Sequence, residues 1–126
     1  MTRKYSSISV ATTLAAGISN SATTMTVASG TGSALMGGVT LAAGNVDIFT
    51  VALDVDTQNE EIVYVTNVSS DTFTIVRAQA GTSAVTHTAG ASVKHVLTSS
   101  DLDYFNSAIQ SSVPAPGTPT IDGGTP

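Results

Sequence analysis

The side chains able to do chemistry are few. Histidine occurs twice, at His87 and His95, lysine and arginine total four (Arg3, Lys4, Arg77, Lys94), and aspartate and glutamate total nine. A Ser–His–Asp relay needs its nucleophile on a strained turn beside the base, and no Gly-x-Ser-x-Gly frame occurs. Two carboxylates acting on one bond must share a face, whereas the adjacent Glu60 and Glu61 point to opposite faces of a strand. Asp54, Asp56, Gln58, Glu60 and Glu61 place five oxygen-bearing side chains within eight residues. A calcium loop of the EF-hand type starting at Asp54 would need Gly and Glu where Asn59 and Val65 stand, so this run reads as a solvated turn. The glycine-rich Ser29–Gly38 is followed by no lysine and is expected to be a flexible surface loop opening no helix, which rules out a phosphate cradle. Without cysteine there is no disulfide, redox pair or thiolate zinc site. With no tryptophan and three tyrosines, aromatic platforms for sugars are scarce. No catalytic, cofactor-binding or metal-binding residue is expected, and the chain is not expected to be an enzyme.

The rare types gather in one segment, Arg77–Gly90, which holds Arg77, His87 and glycines at 81 and 90. It reads as a connection between strands. Arg77 is expected to pair with Glu60 or Glu61 across a sheet. Gly81 and Gly90 would supply turns where a Cβ would clash. Ala84 and Val85 would pack onto the end of the sheet assembly. His87 would donate a structural hydrogen bond or meet solvent, so His87→Ala is expected to leave assembly largely intact. His95, within Val93–Leu97, is expected on a polar strand face.

The elements positioning these residues follow a period of two. Residues 23–28 and 72–76 alternate threonine with Met25, Val27, Phe73 and Ile75, as strands with one hydroxylated face do. Residues 46–53 and 60–68 are apolar on both faces, with Ile62 and Tyr64 opposite Val63 and Val65. Such strands are central or turn one face to another subunit. Strands 46–53, 60–68 and 72–77 are predicted to form an antiparallel meander, with further strands at 39–41 and 92–97. From Ser100 the period changes: Leu102, Phe105 and Ile109 fall at i, i+3 and i+7, which predicts a helix over about 100–110 capped by Ser100. That stripe either caps the core or joins Tyr104 in subunit contacts. The expected fold is mainly β: a single antiparallel β-sandwich or small β-barrel over 1–112, then a Pro/Gly-rich arm over 113–126 held by a neighbour.

Composition narrows the partners. The formal net charge is -5 and only 10% of residues are charged, against about 25% in an average chain. Four cations cannot neutralise a phosphate backbone or hold an anionic bilayer, so neither nucleic acid nor membrane is an expected partner. Sparse charge with abundant Ser and Thr suits a subunit packed against others.

Read in order, Glu60-Glu61-Ile62-Val63, Phe73, Ile75-Val76-Arg77, Gly81-Thr82, His87 and Gly90-Ala91-x-Val93 form a pattern. Over about residues 10–110 it resembles a small β-module of tailed-bacteriophage virion structural proteins, found in head decorations, head fibres and tail accessories. Ala78 departs from it, since glycine usually follows the arginine. The resemblance makes Glu60, Glu61, Arg77, Gly81, Thr82, His87 and Gly90 structural motif residues. It implies a non-enzymatic virion protein, first a capsid cement or decoration subunit. A tail or head-to-tail adaptor comes next, and a host-surface binding module third. The implied partners are major capsid or tail proteins and further copies of the chain, a trimer being one form. The implied place is the virion, assembled in the bacterial cytoplasm. Ile62, Tyr64, Tyr104, Phe105 and Ile109 are the expected subunit contacts.

Overall fold

The structure, a computed structural model, describes residues 2–44 and 46–112, with side chains described to residue 107. The elements are β1 (Thr2–Lys4), β2 (Thr12–Thr13), β3 (Thr24–Thr26), α1 (Gly32–Met36), β4 (Asp47–Leu53), β5 (Glu61–Ser69), β6 (Thr72–Gln79), β7 (Ser92–His95) and α2 (Ser99–Ser112). The fold is mainly β, as expected. β4, β5 and β6 form the antiparallel meander, and the sheet runs β2-β7-β4-β5-β6-β3. Beyond the end of β7, β1 lies parallel to β4, with Thr2 opposite Asp47 and Lys4 opposite Phe49.

The sheet curls into a half-barrel. Its two end strands approach each other at an antiparallel bridge between Leu14 and Val27, flanked by hydrogen bonds from Ala15 N–H to Thr26 O and from Ala28 N–H to Thr13 O. The inward face follows the period of two. Phe49, Val51 and Leu53 on β4, Val63 and Val65 on β5, Phe73 and Ile75 on β6, and Val93 on β7 form one buried cluster. Fully burying each such side chain contributes roughly 1.5–3 kcal/mol. Thr24, Thr26 and Thr72 stay on the exposed face.

The second apolar face of β4 and β5 packs within the chain. Ile48, Ala52, Ile62 and Tyr64 form a smaller buried cluster, flanked by Val55, Ala80 and Val96. Ile62 and Tyr64 are 6% and 8% exposed, so the chain itself covers these two expected subunit contacts.

Two expectations about the glycine-rich region change. Residues 39–41 form no strand, and Val39 N–H instead donates to Met36 O. A helix does open there: α1 buries Leu35 and Met36 in the main cluster, so this is a core element and not a flexible loop. Gly32 permits the close approach, because a Cβ there would lie 2.3 Å from Ser70 O. Five residues are too short for helical periodicity to register.

Candidate functional site

The inward face continues past its apolar residues into a polar cluster. Glu61 shares the strand parity of Val63 and Val65, so its carboxylate enters the interior and is fully buried, together with the ring of His87. Arg77 reaches it from β6. There the pairing steps from Tyr64 opposite Val76 to Ile62 opposite Gln79, so β6 carries one extra residue, a β-bulge. Ala78 occupies the bulge at φ +57°, a left-handed conformation that glycine adopts more readily.

Arg77 donates from Nε to Glu61 Oε2 at 2.7 Å and from Nη2 to Oε1 at 2.8 Å, a bidentate pair. Its remaining donors go to the carbonyls of Ser19, Ala22 and Val85. All five guanidinium N–H groups thus have acceptors. Glu61 also accepts from the backbone N–H of Ala78 at 2.9 Å and of Val85 at 3.2 Å. Burial pushes its pKa up, but Arg77, His87 and these two backbone donors hold it down to about 2.

His87 lies between two acids. Its Nε2 is 2.9 Å from Glu61 Oε1 and its Nδ1 is 2.6 Å from Asp54 Oδ2. Ionised carboxylates only accept, so both contacts are hydrogen bonds when both ring nitrogens carry protons. The backbone of His87 bridges Ile18, with hydrogen bonds in both directions. Of the two expected roles for His87, a structural hydrogen bond and contact with solvent, the structure shows the first: the residue is buried and links three parts of the chain.

The motif residues therefore converge, with distinct roles. Glu61, Arg77 and His87 share one charged cluster. Thr82 accepts the N–H of Ile62 and donates to Gln79 O. Gly81 and Gly90 make the expected turns through left-handed backbone, at φ +82° and +89°, and not to avoid a neighbour, since a Cβ at either would meet nothing within 4 Å. Glu60 stands apart, accepting Asp56 N–H in the hairpin. Asp54 is the member that sequence reasoning placed in a solvated turn; it sits 33 residues before His87.

His95 also departs from expectation. It is half-buried, stacks on Phe49 at 3.9 Å between ring centroids, donates from Nδ1 to Thr50 O and accepts Ser6 N–H at Nε2. One proton serves both contacts, and burial lowers its pKa, against an opposing pull from the Thr50 carbonyl.

The outer region is built differently. Asp101, in the first turn of α2, is fully buried and accepts from Arg3 at 2.7 Å and Thr50 at 3.0 Å. Thr98, not Ser100, is the cap: its hydroxyl accepts Asp101 N–H, while Asp101 accepts the N–H and hydroxyl of Thr98. Arg3 also donates to the Tyr64 hydroxyl and lies 5.0 Å and 5.1 Å from the ring centroids of Tyr64 and Tyr104. α2 is therefore tied to the sheet by polar contacts. Two residues of its apolar stripe turn outward, Leu102 49% and Phe105 53% exposed, beside Tyr5 and Leu97. Together these residues line an open apolar groove of about 300 Å³. Ile109 and the 113–126 arm lie outside the residues whose side chains are described.

Each member of the buried charged cluster is engaged by the fold itself, whereas the groove leaves apolar surface exposed. Compared with models of known protein families and with curated proteins, the chain matches none.

Proposed function

We propose that this chain is a non-enzymatic structural subunit of a tailed-bacteriophage particle, a capsid cement or decoration protein that works through subunit contacts. The observation that carries this reading is the division of labour between interior and surface. Glu61, Arg77 and His87 are spent on holding strands together, while Tyr5, Leu97, Leu102 and Phe105 stand open along one groove. Low charge and the motif running from Glu60 to Val93 support the same reading. Apolar contact yields roughly 25 cal/mol per Å² before association costs, and repetition over a symmetric particle multiplies weak contacts.

Counting copies in purified particles by quantitative mass spectrometry tests it. A shell offers sites in the hundreds, so a stoichiometry tied to the major capsid protein is expected. A small cyclic multiple would move the chain to the tail as an adaptor. Absence from intact particles would sink both versions.

A further inference from the structure

The geometry points to a second copy of this chain as the occupant of the α2 groove, paired about a two-fold axis so that Phe105 of each copy enters the groove of the other. This rests on the reading of the chain as a contact-forming subunit and names the partner for that surface.

Three observations select this occupant. The first is that knob and groove belong to one patch. Phe105 lines the groove while 53% exposed, and with Tyr5, Leu97 and Leu102 it forms apolar walls around a space of about 300 Å³. An apolar cavity of about 150 Å³ accepts benzene, so a phenyl ring fits this one. A patch holding both a protrusion and its receptacle is self-complementary, as an isologous interface requires.

The second is area. Tyr5, Leu97, Leu102 and Phe105 are 40–59% exposed, leaving roughly 350 Å² of apolar surface open. One side of a standard interface covers about 800 Å², a little over half of it apolar. The patch therefore approaches the apolar core of one such side.

The third is charge. Asp101 is the carboxylate among the described residues lining the groove, and it is fully buried against Arg3. Asp103 sits about 100° around the helix from Leu102. Two copies thus meet there without like charges facing each other, although the chain carries a net charge of -5.

Sedimentation equilibrium of the purified full chain, from low to high micromolar concentration, provides the test. Wild type is expected to reach twice the chain mass. Phe105→Glu should weaken pairing roughly thirtyfold or more, as loss of a central anchor does. Leu97→Lys, in the loop before α2, should weaken it similarly without touching the helix. Val76→Glu, an exposed apolar position on β6, should leave pairing unchanged, and thermal melts should show all variants folded. A wild type that stays monomeric overturns the inference, as does pairing that survives Phe105→Glu or a mass other than the dimer's. These failures are separable from failure of the virion reading. A monomer present in particles at shell stoichiometry removes only the pairing; a dimer absent from particles removes only the virion role.

Discussion

At the scale of single residues, stability concentrates where charge is buried. His87→Ala would leave Glu61 and Asp54 short of a donor and open a space in a fully buried site. Stranding buried polar groups costs about 1–3 kcal/mol, and the cavity adds to this, so urea denaturation at neutral pH should show a loss of about 2–4 kcal/mol. An unchanged midpoint would return His87 to the peripheral role its sequence setting suggested. Ala78 makes the opposite prediction. It holds a left-handed conformation in the bulge with an exposed side chain, and its N–H donates to Glu61. Ala78→Gly should relieve strain of about 1 kcal/mol and raise the melting temperature. The Arg77–acid pairing was legible in the sequence because one cation stood beside two acids on neighbouring strands. Parity then separates Glu61 from Glu60, since only Glu61 shares a face with Val63 and Val65. Asp54 was not legible: its partner is distant in sequence, and a hairpin acid ordinarily faces water.

At the scale of elements, the meander and α2 were readable because their periods extend over seven or more residues. β1, β2 and α1 are two to five residues long and owe their form to tertiary contacts that no local pattern announces. For α2, periodicity disclosed the helix but not which face docks. An apolar stripe ordinarily turns inward, yet here a buried aspartate makes the attachment and Leu102 and Phe105 are left outside. Arg3 links β1, Tyr64, Tyr104 and Asp101, so Arg3→Ala should unseat α2 while sparing the half-barrel. Hydrogen exchange should then accelerate over residues 99–107 and 2–4 and stay slow over 61–66. Uniform acceleration would mean that α2 and the sheet form a single cooperative unit. Removing the cap by Thr98→Ala should cost about 1 kcal/mol through the same attachment.

At the scale of the whole molecule, the interior holds two titrating sites whose signs agree. Glu61 is held at about 2, below its ordinary value, so it contributes stability above roughly pH 4.5 that disappears as the pH falls toward 2. The displacement corresponds to something on the order of 3 kcal/mol. His95 is lowered from its usual 6.5, and its Nε2 must stay unprotonated to accept Ser6 N–H. Its contribution is likewise present above pH 6.5 and fades below it. Acid should therefore destabilise the fold in two stages, although from sequence Glu61 was expected only as one of two partners for Arg77 and His95 only on a polar strand face. The reason is topological: the pairing of Val51 with His95 sets the imidazole beside Phe49, and the return of the chain through Val85 and His87 covers Glu61. Unfolding free energies measured in urea from pH 8 to pH 2 should fall gently below 6.5 and steeply below 4.5. His95→Gln should flatten the first stage and leave the second. Glu61→Gln should lower stability at neutral pH and flatten the second stage, because the group that must be protonated is gone. If both variants kept the wild-type profile, the acid response would belong to surface carboxylates, and the buried cluster would be no more than a fixed brace.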